Sequence, residues 1–372
     1  MTDLSPRKTP LSEIPATIAA VMDYEPFARE RMSEGAWAYL MGGAGDESTL
    51  AENREAFRRL HLRTRVLQPL AGGDTRLELF GQALDFPILL APVAFQKLVH
   101  PDGELATVLA ASAMRAAMVV STQASVALEE IAAAAATPLW FQLYFQPECA
   151  FTTDLVRRAE RAGYGALVLT VDAPVNGLRN REQRAQFRLP PGVEAVNLRG
   201  SPPLTVTNTA DGRILLGTKL LEVAPVWQDL EWLRGQTRLP ILLKGIMDAE
   251  DARQAMAMGM DGLIVSNHGG RLLDSQPAAI DVLPEIVDAV AGRAPVLMDG
   301  GIRSGGDIFK ALALGASAVL IGRPFLYGLG AAGAPGVAHV LRILRAELEV
   351  TMALTGCRNL AAIDRSRVIQ RR

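Results

Sequence analysis

The sequence predicts an α/β protein built as one closed (β/α)8 barrel, the TIM-barrel architecture, with an N-terminal helical cap and a long loop after the fourth strand. From residue 86 onward one alternation repeats: a short apolar, β-branched run, a turn, then an Ala-rich stretch with apolar residues at helical spacing. Such runs number eight, the strand count of a closed parallel barrel. No Gly-x-Gly-x-x-Gly fingerprint follows the first run, and polar or glycine-rich residues cluster after nearly every run's C-terminal end. Both features favour closure over a doubly wound open sheet, the structural alternative.

Residues 1–80 read as a capping segment, because 26–40 and 49–60 carry helical spacing and a short antiparallel stretch follows them. Residues 81–372 read as the barrel, the whole forming one domain over about 15–370. The eight strands fall at 87–91, 118–121, 139–144, 166–172, 241–245, 262–267, 296–300 and 318–322. Helices are expected at 103–115, 148–162, 248–258, 277–290 and 306–314. The longest break, 180–220, is rich in Pro, Gly, Asn and Arg and lies between strands four and five. A loop of that length is usually functional.

Of the 372 residues, 49% are hydrophobic and 21% charged, with a formal charge of −2, a composition that suits a large apolar core. With 38 Lys+Arg against 40 Asp+Glu, the chain as a whole lacks the basic excess that nucleic acid binding demands. The N-terminus has no apolar run behind its charges, and no stretch reaches the ~20 apolar residues of a membrane span, so a soluble, cytoplasmic protein without membrane insertion is expected. Cys149 and Cys357 are the only cysteines; both read as buried thiols, with no spacing that suggests a disulfide framework or a metal. Four histidines, His61, His100, His268 and His339, leave few candidates for a base titrating near neutrality.

Chemistry concentrates after the strands. Strand six is followed by Ser266-Asn267-His268-Gly269-Gly270-Arg271. In this hexapeptide His268 can take a proton, Arg271 can hold a carboxylate through two parallel hydrogen bonds, and the glycines let backbone approach a ligand. A lone histidine would more often be a satisfied side chain in a packed loop; the surrounding residues reverse that preference. After strand four, Thr170-Val171-Asp172 leads to Arg179. Asp172 either holds His268 and stabilises its cationic form, or caps a loop or pairs with an arginine. Strands seven and eight end in Asp299-Gly300-Gly301-Ile302-Arg303 and Gly322-Arg323, where barrels bind phosphate on backbone N–H groups and arginines. Lys244 closes an otherwise apolar fifth strand, a costly placement unless the ammonium meets an anion or an electron-rich ring. It could form a Schiff base or stabilise charge on a cofactor ring, and the neighbouring phosphate site favours the second.

With these segments, and with Gly42-Gly43-Ala44-Gly45-Asp46 leading to Ala51-Glu52-Asn53-Arg54, the sequence resembles the FMN-dependent 2-hydroxy acid dehydrogenase/oxidase family over nearly its whole length. The family includes glycolate oxidase, lactate oxidase, mandelate dehydrogenase and the flavin domain of flavocytochrome b2. By position, the resemblance implies FMN contacts from Pro92, Val93, Ala94, Ser121, Gln142, Thr170, Lys244 and Ser266. Asp299, Gly300, Gly301, Ile302 and Arg303, with Gly322 and Arg323, would take the phosphate and ribityl chain. It further implies Tyr39 and Tyr144 as substrate tyrosines, which by themselves would read as core, Arg179 and Arg271 as a carboxylate clamp, and His268 as base with Asp172 as its partner. Lys244 would stabilise the reduced flavin.

The implied activity is oxidation of a small (S)-2-hydroxy acid, such as lactate, glycolate or mandelate, to the 2-keto acid, the flavin being reoxidised by oxygen or another acceptor. A homotetramer or octamer is implied as well. Two alternatives accompany this reading: a flavin-free barrel isomerase or lyase acting on a phosphorylated substrate, and a flavin-binding protein whose site is vestigial. The chain departs from the family pattern after Thr170-Val171-Asp172, where Val175, Asn176 and Leu178 surround Gly177 and thin an arginine-rich stretch. Gln123 stands where some relatives carry a bulky aromatic, and Ala94 and Phe95 are expected to face the pocket.

Overall fold

The computed structural model describes residues 8–201, 215–216, 218–222 and 224–370. Eight parallel strands close into a barrel: β4 (Ile88–Leu90), β5 (Ala117–Ser121), β6 (Leu139–Leu143), β7 (Leu167–Thr170), β8 (Ile241–Ile246), β9 (Gly262–Val265), β10 (Val296–Met298) and β11 (Ala318–Ile321). They pair in sequence order, and β11 pairs back onto β4 through Leu320 opposite Leu89. The barrel strands are almost wholly buried because both faces are covered, which is why they read as continuous apolar runs. A two-residue period nevertheless sorts them. Leu89, Val119, Trp140, Val168, Leu242, Ile264, Leu297 and Leu320 fill the barrel interior, whereas Leu90, Val120, Phe141, Leu169, Leu243, Val265, Met298 and Ile321 pack outward against the helices.

The N-terminal segment carries α1 (Tyr24–Arg29), α2 (Glu34–Met41) and α3 (Ser48–Arg58). The spacing predicts one helix over 26–40, but the chain breaks at residues 30–33, because Ser33 caps a new helix by accepting from the amide of Ala36 at 3.2 Å. Strand β1 (Leu60–Leu62) pairs antiparallel with β12 (Val368–Gln370), tying the end of the N-terminal segment to the last strand. The hairpin of β2 (Leu77–Leu79) and β3 (Gln82–Leu84) closes the amino-terminal end of the barrel. Its Phe80 meets Trp140 edge-on at 5.5 Å, and Gln82 accepts from the Trp140 indole at 3.0 Å.

Around the barrel lie α4 (Glu104–Met114), α5 (Leu128–Ala134), α6 (Cys149–Arg161), α9 (Trp227–Gln236), α10 (Ala249–Ala257), α11 (Ala279–Val290), α12 (Gly305–Ala313) and α13 (Arg323–Thr355). Helix α13 kinks at Ala332 and Gly333, ahead of Pro335. Within the predicted loop 180–220 the structure places α7 (Asn180–Arg184), a 3-10 turn Val196–Leu198 and the start of α8 (Lys219–Glu222); residues 202–214 and 217 lie outside the described residues. One expectation is corrected: Cys357 is buried but Cys149 is exposed, because it opens α6 at the surface, where the helix's buried face begins at Thr152. Among the described residues no helix is long and apolar enough to cross a membrane.

Candidate active site

At the carboxyl ends of the strands a cavity of about 640 Å³ gathers the loops after β4 to β11 and the end of α2. Its wall includes Pro92, Val93 and Ala94 after β4, Ser121 and Gln142 at the ends of β5 and β6, Tyr144, Thr170, Arg179, Lys244, His268 and Arg271. Asp299, Gly300, Gly301, Ile302, Arg303, Gly322 and Arg323 complete it, and Tyr39 reaches it from α2. Gln123 also lines it, whereas Phe95 is buried behind, against Tyr39 at 6.1 Å. Ser266 and Asp172 stand behind the wall, bonded to Lys244 and His268 respectively.

The backbone that aims His268 is unusual. The histidine sits at φ 56°, a left-handed conformation that non-glycine residues seldom adopt. It is held there by the Ser266 hydroxyl, which accepts from the His268 amide at 3.1 Å, and by the following turn, where the Gly270 amide donates to the Asn267 carbonyl at 3.0 Å. Asn267 itself is buried and exchanges amide hydrogen bonds of 2.9 Å with Asn53 of α3.

His268 Nδ1 lies 3.1 Å and 3.2 Å from the two Asp172 oxygens, which leaves Nε2 directed away from the carboxylate. Burial pushes the imidazole below its ordinary value of 6.5, with Asp172 only partly offsetting the effect. Burial works the other way on Asp172, but His268 and Lys244 outweigh it and hold the carboxyl below its ordinary value. At neutral pH the pair is therefore a carboxylate beside a neutral imidazole. A bulge in β8 makes room for it: Gly245 adopts φ +111°, and a Cβ there would lie 2.5 Å from that of Asp172.

Lys244 donates to Ser266 Oγ at 2.9 Å and stands 3.2 Å from Asp299, whose other oxygen accepts from Ser266 at 2.6 Å. Burial disfavours the ammonium, yet Asp299 and Asp172 overcome it and raise its proton affinity above the usual lysine range. Lys244 is thus a fixed buried cation on the cavity wall.

Two arginines flank Tyr39, Arg271 at 5.2 Å and Arg179 at 5.6 Å from the ring centroid. Arg271 caps the carboxyl end of α2, donating to the carbonyls of Tyr39 at 2.5 Å and Gly42 at 3.1 Å. Arg179 donates to Glu182 at 2.9 Å and to Asn176 at 3.0 Å. Burial, then the charge of Arg179, push Arg271 down to about 10. Such like charges, taken out of water together, call for an anion.

A second cationic end is formed by Arg303 and Arg323, each with a buried Nε that has no hydrogen-bond partner among the described residues. Arg323 spends its other nitrogens on the carbonyls of Gly269 at 3.0 Å and Gly42 at 2.9 Å, and burial pushes it down to about 9. Beside it the chain runs through Gly300 and Gly301 at φ +96° and +83°, and α13 begins at Arg323. Orphaned guanidinium N–H groups, side-chain-free backbone and a helix N-terminus fit a phosphate monoester.

Sequence reasoning missed the supports: Asn53 behind Asn267, Asp274 beneath the 268–271 loop, and Phe187 stacked on Tyr39 at 4.8 Å. Only Asn53 fell in a segment already singled out; the others are brought in by packing across long sequence separations.

The FMN-dependent dehydrogenase family model matches residues 28–370. An L-lactate oxidase from a Nostoc species is 47% identical over 352 residues, covering 93% of this chain and 96% of that protein. Glycolate oxidase 1 of Zea mays is 45% identical over 353 residues, covering 95% and 96%. A crystal structure of mandelate oxidase with benzoyl-formic acid superposes with a TM-score of 0.85 at 42% identity, covering 94% of this chain and 98% of that one. With a closed barrel, a phosphate-fitting end and matches that run nearly end to end, this chain belongs to the FMN-dependent dehydrogenase family.

Proposed function

We propose that this chain oxidises a small (S)-2-hydroxy acid of the lactate or glycolate type to the 2-keto acid and passes the electrons to oxygen. The observation that carries the reading is one wall holding His268 backed by Asp172, with Arg179 and Arg271 facing the same cavity. FMN, when bound, supplies the two-electron acceptor. Arg303, Arg323 and the 299–303 backbone would hold its phosphate and ribityl chain. Pro92, Val93, Ala94, Ser121, Gln142, Thr170, Lys244 and, from behind, Ser266 would hold its ring.

Arg179 and Arg271 take the substrate carboxylate, and Tyr39 and Tyr144 line the space beside it. His268 Nε2 receives the proton released from the substrate, and Asp172 stabilises the imidazolium that results. Lys244, fixed by Ser266 and Asp299, places positive charge at the cofactor end without moving. Oxygen as acceptor is supported by the relatives named above, each an oxidase.

The test is an anaerobic absorbance titration with L-lactate, glycolate and (S)-mandelate, followed by air. Bleaching by one acid and rapid return of colour are the expected results; FMN that no 2-hydroxy acid bleaches would overturn the reading. Arg271→Lys is expected to raise KM at least about 10-fold, because the bidentate fork is lost while one charge remains. Steady-state kinetics measure it, and an unchanged KM removes Arg271 from the clamp.

The acid limb of kcat/KM should lie below the ordinary imidazole range, ~6.5, because His268 is held below its usual value and loses activity only when protonated. Asp172→Asn removes the charge that favours the imidazolium, so the limb moves to still lower pH while the rate falls. A limb that moves upward would contradict the assignment.

Cytoplasmic residence and assembly into a homotetramer or octamer complete the proposal. Self-association is supported by apolar side chains left at the surface, Val66 at 76% and Leu67 at 99% exposure. Light scattering gives the subunit count.

A further inference from the structure

The two clamp arginines come from different strands, Arg179 after β7 at the start of α7 and Arg271 after β9, and both lie against the Tyr39 ring of α2. Their loops are further joined by a contact at Gly177 and by a turn from the N-terminal segment. A Cβ on Gly177 would lie 2.5 Å from the carbonyl oxygen of Arg271 and 2.3 Å from that of Leu272. The two loops therefore touch backbone to backbone, at a distance only glycine permits.

Residues 43–49 hold both loops from the side. Toward the Arg179 loop, the Gly45 amide donates to the Leu178 carbonyl at 2.8 Å, Asn180 Nδ2 donates to the Gly45 carbonyl at 3.0 Å, and Arg181 pairs with Glu47. Toward the Arg271 loop, the Ala44 amide donates to the Gly270 carbonyl at 2.8 Å, and Asp274 accepts from the amides of Asp46 at 2.9 Å and Thr49 at 2.8 Å and from the Ser48 hydroxyl at 2.8 Å. Glu47 occupies φ +65°, and its carboxylate also accepts from the Gly43 amide at 2.9 Å, so the strained residue is tied at both ends of its own turn.

We propose that Gly177 and the 43–49 turn form a bracket that sets the separation of Arg179 and Arg271, making Gly177, Glu47 and Asp274 positioning residues for the carboxylate clamp. The inference rests on the clamp reading of those arginines given above. None of the three residues is assigned contact with substrate or cofactor; each acts through a loop that carries an arginine. Bidentate recognition tolerates little error in spacing, and a displacement of ~1 Å can cost as much as ~10²-fold. The bracket is therefore a determinant of affinity for 2-hydroxy acids; it meets the phosphate end only where Arg323 donates to the carbonyls of Gly42 and Gly269.

The test uses the FMN-loaded protein and oxalate as a carboxylate probe, followed by isothermal titration calorimetry alongside steady-state KM. Gly177→Ala should weaken oxalate binding and raise KM about 10-fold or more, with FMN content retained. The effect should shrink in an Arg271→Lys background, since the residue acts through the clamp. Glu47→Gly removes the carboxylate and relieves the left-handed backbone without adding bulk, and should likewise weaken oxalate binding while FMN content is retained. An oxalate affinity within about 2-fold of wild type in both variants, with only the thermal midpoint lowered, overturns the bracket. Loss of FMN in parallel with oxalate affinity also overturns it, by placing the effect at the cofactor. Wild-type protein that binds no oxalate at all instead overturns the clamp reading itself, and the bracket falls with it.

Discussion

Substitution of the histidine on the cavity wall, His268→Gln, leaves a yellow protein whose flavin is reduced about 10²–10⁴-fold more slowly by 2-hydroxy acids. Glutamine keeps the size and one donor but cannot accept a proton at neutral pH. FMN is expected to stay bound because the groups proposed to hold it, the guanidinium groups of Arg303 and Arg323 and the 299–303 backbone, are untouched by the substitution. The left-handed backbone at this position suits histidine better than glutamine, so a modest drop in the thermal midpoint is expected beside the kinetic loss. Anaerobic stopped-flow reduction measures the loss, and a variant reduced at the wild-type rate would remove His268 from the chemistry. Binding of oxalate at near wild-type affinity would show that the clamp survives.

Gly301→Ala is expected to be the most damaging single-carbon change in the protein. The added Cβ would lie 1.9 Å from the carbonyl oxygen of Asn53 and 2.9 Å from the Phe57 ring, both on α3, in a backbone at φ +83°. Strained backbone and overpacking against a fixed helix together cost about 4 kcal/mol. Because the same turn lines the phosphate end, FMN dissociates as the turn is displaced. The expected result is a colourless or weakly folded protein with a sharply lowered thermal midpoint. A variant with normal FMN content and stability would mean that α3 yields easily and that the turn is not pinned by Asn53.

These two positions differ in how far the sequence exposed them. His268 was legible because it stands in a compact hexapeptide after an apolar run, where a proton acceptor, an anion-binding arginine and glycines fall within six residues. The steric role of Gly301 was not legible, since its partner Asn53 is remote in the chain and only folding brings the two into contact. Asp172 left two roles open in the sequence; the structure places it 3.1 Å from His268. Arg179, the proposed clamp residue whose surroundings depart most from the family pattern, reaches the cavity although its neighbours Val175, Asn176 and Leu178 thin the arginine-rich stretch.

The eight strands were determined by the sequence itself, because a barrel buried on both faces demands an apolar residue at nearly every strand position and so writes a strong local signal. The carboxyl ends of the strands and the turns after them were likewise marked by residue types that interiors exclude: Lys244, Asp299, Arg303 and Arg323. Only the tertiary structure decided how those residues work together. The break in the first helical stretch came from the cap at Ser33, and the shifted proton affinities of His268, Lys244 and Arg271 came from burial and from the charges folded in beside them. Local chain chemistry sets which elements form. Desolvation and long-range packing depend on neighbours hundreds of residues away, and they set the geometry in which the elements meet.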